Sequence, residues 1–82
     1  MFQISSNLLL DRAEAQETIA NFFPVPSYYG KNLDAMYDYF TSLGKDCYLT
    51  IIEKETSADY QAVRHVLEEA AQTNPNFHLT IR

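Results

Sequence analysis

The chain has one cysteine, two glycines, three prolines and no tryptophan among its 82 residues. With Cys47 alone, no intramolecular disulfide can form and no zinc site can be built from cysteines. With only Gly30 and Gly44 there is no glycine-rich phosphate loop, and neither the Walker pattern nor the G-x-S-x-G elbow occurs. Long apolar runs are missing too: Met1-Phe2-Gln3-Ile4 and Leu8-Leu9-Leu10 are far too short for a signal core or a membrane span. Basic residues are scarce. Six Lys and Arg stand against 11 Asp and Glu, a net charge of −5. That balance argues against a general nucleic-acid binder and suits a partner that is itself basic. A soluble, cytoplasmic protein is the expectation.

What is present is enough to fold. At 46% hydrophobic and 21% charged the chain is too apolar for disorder, and its length leaves room for one core, so residues 1–82 are read as a single domain. Met1 to Ile4 reads as a strand, followed by a turn at Ser5-Ser6-Asn7. Asp11 with Glu14 is a capping-box variant that opens a first helix, with Ala15, Ile19, Phe22 and Phe23 on its apolar face and Pro24 as its stop. Asn32 is the N-cap of a second helix expected to end near Gly44, taken as a C′ glycine. Its apolar stripe is Leu33, Met36, Tyr37, Phe40 and Leu43. Cys47 to Ile52 is β-favouring and of strand length. Ser57 or Asp59 opens a third helix with Tyr60, Val63, Val66, Leu67 and Ala70 inward; Asn74-Pro75-Asn76 breaks it, and Phe77 to Ile81 closes the chain as an alternating strand. The order β-α-α-β-α-β implies an α/β fold: a small three-stranded parallel sheet with helices packed on it.

Tyr28 to Thr41 is the conspicuous segment. It holds four of the six tyrosines and two aspartates one helical turn apart. Asp34, Asp38 and Thr41 form a polar stripe at i, i+4, i+7. Like charges at that spacing disfavour an isolated helix by about 0.2–0.5 kcal/mol. The macrodipole favours Asp34 in the first turn, but Asp38 lies beyond it. On residue chemistry alone a solvated acidic face remains the simpler reading. Catalysis by the pair is poorly supported, since two carboxylates on one helix face leave no opposing wall for a scissile bond. No metal or cofactor is expected: only Asn32 and Thr41 add oxygen ligands nearby, and His65 with Glu69 is more commonly a simple i, i+4 helix contact. His78 is assigned no role, and Cys47 is read as a half-buried, inert thiol. A binding face fits better, because aromatic anchors beside a charge are what a desolvated contact needs.

Pro26-Ser27-Tyr28-Tyr29-Gly30-Lys31-Asn32-Leu33-Asp34-Ala35-Met36-Tyr37-Asp38 resembles the signature of the barstar family, intracellular inhibitors of barnase-like ribonucleases. The family's pattern there is P-x-Y-Y-G-x-N-L-D-A-hydrophobic-aromatic-D, met at every specified position, and the order of elements is similar along the whole chain. The resemblance implies a barstar-like domain, not an enzyme, with a partner-binding surface at Tyr28, Tyr29, Gly30, Asn32, Asp34, Asp38, Thr41 and Glu69. It also implies roles: Asp38 takes the place of a substrate phosphate among basic side chains, Asp34 flanks it, Tyr28 packs on the enzyme's catalytic histidine, and Glu69 adds a peripheral ion pair. Three places depart from the pattern: Tyr37 stands where the best-known member has Trp, Ser42-Leu43 stands where that member has a glycine and an aromatic, and the short Glu53 to Ser57 is expected to lack a small helix that members can carry.

The expectation is therefore a cytoplasmic, stoichiometric immunity protein or antitoxin against a basic ribonuclease, monomeric when free. The alternatives are an immunity protein for a toxin of another kind, an acidic enzyme using Asp34, Asp38 and Glu69, and a dimerisation module built on the exposed tyrosines.

Overall fold

The computed structural model describes residues 1–82. Three strands, β1 (Phe2–Ser5), β2 (Cys47–Ile52) and β3 (Phe77–Ile81), and three helices, α1 (Arg12–Phe22), α2 (Leu33–Thr41) and α3 (Ala58–Thr73), follow in the order β-α-α-β-α-β, with a 3₁₀ turn at Ser6–Leu8. The strands form one parallel sheet, β1-β2-β3. Phe2, Leu49 and Leu79 share one row across it, and Ile4, Ile51 and Ile81 the next. These rows point inward, whereas Gln3, Tyr48 and Thr80 at the alternate positions are exposed. Crossovers of one hand between neighbouring strands place every helix on the same side. One buried cluster accordingly joins Ile4, Leu49, Ile51 and Phe77 to Ile19, Met36, Phe40, Tyr60, Val63 and Leu67 from the helices.

Local capping is as the sequence suggests. The Asp11 carboxylate accepts the Glu14 N–H at 3.0 Å, the Asn32 amide oxygen accepts the Ala35 N–H at 2.7 Å, and of Ser57 and Asp59 it is Ser57 that caps α3, accepting from Tyr60 at 3.0 Å. Asp59 instead bonds the Arg12 N–H at 3.0 Å, joining the starts of α1 and α3.

Three expectations need correction. Phe22, assigned to the apolar face of α1, is 41% exposed. The chain turns extended at Phe23 ahead of Pro24, and that turn drives Phe23 inward against Phe2 and Phe40, with ring centroids 4.3 and 5.0 Å away. Helix α2 ends at Thr41, not near Gly44, and no glycine adopts positive φ. Its last carbonyls need no glycine turn because Asn74 Nδ2 donates to Phe40 O (2.9 Å) and Leu43 O (3.0 Å), and Asn76 Nδ2 donates to Leu43 O (3.2 Å). Val66, expected inside, is only half-buried.

The connection at 53–57 carries no helix. Buried Ser6 fastens it, accepting the Lys54 N–H (2.8 Å) and donating to Glu55 O (2.6 Å), while Asn7 accepts the Glu55 N–H (3.0 Å). No helix is long and apolar enough to cross a membrane.

Candidate functional site

Between Pro24 and Lys31 the chain leaves α1, turns, and enters α2 in a fixed course. Pro24 and Pro26 stiffen it, and the Tyr29 N–H closes a turn on Pro26 O at 2.9 Å. Gly30 is present for closeness: a Cβ there would lie 3.2 Å from Asn32 Nδ2 and 3.4 Å from the Ala35 Cβ. The left-handed residue is Lys31, at φ 53°, a conformation that disfavours a lysine by about 1–2 kcal/mol.

This course and α2 enclose a groove of about 550 Å³ walled by Pro24, Pro26, Tyr28, Tyr29, Gly30, Ala35, Tyr39 and Ser42, with Asp38 as the one carboxylate in its lining. The two loop tyrosines differ. Tyr28 is 86% exposed, so its ring is free to meet a partner. Tyr29 is half-buried, edge-on to Tyr39 at 6.5 Å, and its hydroxyl donates to Gln16 Oε1 at 2.5 Å. Burial, and after it the neighbouring Tyr39, push the Tyr29 phenol up to about 12; burial raises Tyr39 as well. Both remain neutral walls at physiological pH.

Asp34 and Asp38 are exposed along one strip of α2, and none of the six side-chain ion pairs includes either. Thr41, next on the strip, turns its hydroxyl back to Tyr37 O at 2.7 Å. The structure thus gathers Tyr28, Tyr29, Gly30 and Asp38 around one groove; Asn32 shapes it as the cap of α2, and Asp34 and Thr41 continue the strip. Glu69 does not line the groove. It sits on α3, paired with His65, one turn before Thr73, whose hydroxyl meets that of Tyr37 at 3.0 Å.

Asp34, Asp38 and Glu69 therefore do not converge on one cavity as the enzymatic alternative requires, and no group of three or more His, Cys, Asp or Glu side chains forms a metal site. Burial raises the Cys47 thiol, which lowers its thiolate fraction. Sequence reasoning missed Tyr39, Ser42 and Ala35 as groove walls and Gln16 behind Tyr29. Ser42 and Gln16 carry no local signal, and Tyr39 and Ala35, although inside the tyrosine-rich segment, become walls only when the loop folds back across α1 and α2.

Chemically, the groove offers an acceptor-only anion between aromatic and proline walls, a pattern for gripping cationic side chains. A search among curated protein sequences finds no match. The Barstar (barnase inhibitor) family model matches residues 1–82, and the chain belongs to that family.

Proposed function

We propose that this protein is a stoichiometric inhibitor of a basic, barnase-like ribonuclease, an immunity protein or antitoxin acting in the cytoplasm. It occludes the enzyme's active site with α2 and the tyrosine loop. The observation that carries the reading is Asp38: a carboxylate in the lining of an aromatic groove, without a partner of its own in the fold. Arg and Lys arranged to grip a phosphate can grip this carboxylate instead. Tyr28 supplies an exposed ring for the partner's apolar surface, and Asp34 extends the negative strip. Glu69 contributes from α3 at the periphery, after exchanging His65 for a partner cation. The protein does no chemistry itself; free, it is a monomer whose acidic face awaits the enzyme.

The test is a titration of barnase activity with the parent and with Asp38→Asn. The substitution keeps size, removes the charge, and sets an NH₂ donor against a site built of donors. Inhibition should weaken about a hundredfold or more, the consequence of leaving buried charges unpaired. The fold should be as stable as the parent within about 1 kcal/mol, since a like-charge pair has been relieved. Glu55→Gln, which removes one negative charge from the connector at 53–57, should inhibit like the parent. A folded Asp38→Asn protein that inhibits equally well would overturn the reading.

A further inference from the structure

Two consecutive residues of α1 hold the loop that carries Tyr28. Gln16 is buried, 1% exposed, and its Oε1 accepts the Tyr29 hydroxyl at 2.5 Å. Its Nε2 has only the Met36 sulfur, at 3.8 Å, a weak acceptor on α2. Glu17 reaches the other end of the loop and pairs with Lys31 at 2.9 Å. That end is under strain, because Lys31 stands in the left-handed region, and such a conformation persists only where its surroundings over-determine it. The Glu17–Lys31 pair is exposed and contributes little, so of the two the part-buried bond to Tyr29 is the stronger hold.

A glutamine is an unexpected choice for a fully buried helix position beside Met36, where an apolar residue would pack without a hydrogen-bond requirement. Its single strong contact is to the wall of the groove. We infer that Gln16 is a positioning residue for binding: through the Tyr29 hydroxyl it presets the loop against α2, so that the free protein already has its groove formed. The inference rests on the inhibitor reading for its consequence in binding, but not for its consequence in the free protein.

If the competent loop conformation falls to about a tenth of the population, the apparent dissociation constant rises about tenfold. The loss appears in association, because the complex, once formed, holds the loop in place. Gln16→Met fills the space without the acceptor, and Tyr29→Phe removes only the hydroxyl, so either reports if the other folds poorly. In both, backbone order parameters at residues 28–31 should drop from about 0.85 towards 0.6 or below while those of α3 stay unchanged. The on-rate for barnase should fall about tenfold, with the off-rate altered less than about twofold.

The double variant Gln16→Met/Tyr29→Phe leaves no unpaired polar group. Its melting temperature should return towards the parent's while the loop stays mobile and the on-rate low. A merely structural Gln16 would lower the melting temperature with loop order and on-rate unchanged, and that result would overturn the inference. Should the parent fail to bind barnase, the inhibitor reading falls, and the order parameters alone still decide the role of Gln16.

Discussion

Tyr60 and Glu53 show how single side chains join the sheet to α3. Tyr60 is wholly buried at the first turn of α3, and its hydroxyl finds an acceptor in Glu53 Oε2 at 2.6 Å, just past the end of β2. Arg64, one turn on, pairs with the same oxygen and reaches Glu68 as well. The Tyr60 hydroxyl foremost, and Arg64 after it, hold the Glu53 carboxyl below its ordinary range against the opposing effect of burial. A carboxyl depressed in the folded state stabilises it above the unfolded value, near pH 4.3, and that contribution disappears as pH falls through the lower, folded value. Glu53→Gln should therefore melt below the parent at pH 7 and approach it at pH 3. Melts at the two pH values check the sign; an equal gap at both would show that Glu53 acts through packing alone. Asp34 and Asp38 contrast with Glu53: both lack a cationic partner, and only Asp34, in the first turn of α2, is favoured by the helix dipole.

At the scale of elements, α2 is the platform of the candidate site, and an asparagine fixes each end. Asn32 caps its start from within the loop, but Asn74, 34 residues from Phe40, satisfies the carbonyls at its end. Asn74→Ala should strip the buried Phe40 carbonyl of its partner, while Leu43 O keeps its bond from Asn76, and cost about 1–3 kcal/mol, a fall of roughly 4–24 °C in melting temperature for a domain this size. Chemical denaturation measures the loss, and faster amide exchange in the last turn of α2 would locate it; a change under about 0.5 kcal/mol would show that water replaces the asparagine. This pair of ends also explains what could be read beforehand. The strands Cys47–Ile52 and Phe77–Ile81 and the caps Asp11, Asn32 and Ser57 are local signals of residue type and spacing, and they form as expected. The end of α2 depends on a contact across the chain, so Gly44 was a false stop. Phe22 and Phe23 were separable only by knowing where Pro24 turns the backbone. In the site, the tyrosine loop and the Asp34–Asp38 strip were visible as a motif, whereas Tyr39, Ser42 and Gln16 joined them through folding.

The whole molecule presents its charge unevenly, and this bears on how it finds a partner. No basic residue lies between Lys31 and Lys45, so α2 and both its ends carry only Asp34 and Asp38 as charges. With a net −5 behind that face, a basic ribonuclease should be drawn to it over distances beyond contact. Such steering is documented for the barnase–barstar pair itself, so the expected sign is carried from the family. Raising salt from about 0.05 to about 0.5 M shrinks the Debye length to roughly 4–5 Å. The on-rate should then fall at least about tenfold, and the off-rate should change less than about threefold, because charges already in contact are little screened. Field and contact can be separated by two variants of equal charge. Asp38→Asn and Glu55→Gln each remove one negative charge, so each should slow association by less than about threefold. Only Asp38→Asn should speed dissociation, by about a hundredfold, since on the proposed mode of inhibition it alone disrupts buried pairs. Stopped-flow association at several salt concentrations gives both rates; an on-rate indifferent to salt, or equal off-rates for the two variants, would place the attraction somewhere other than this face.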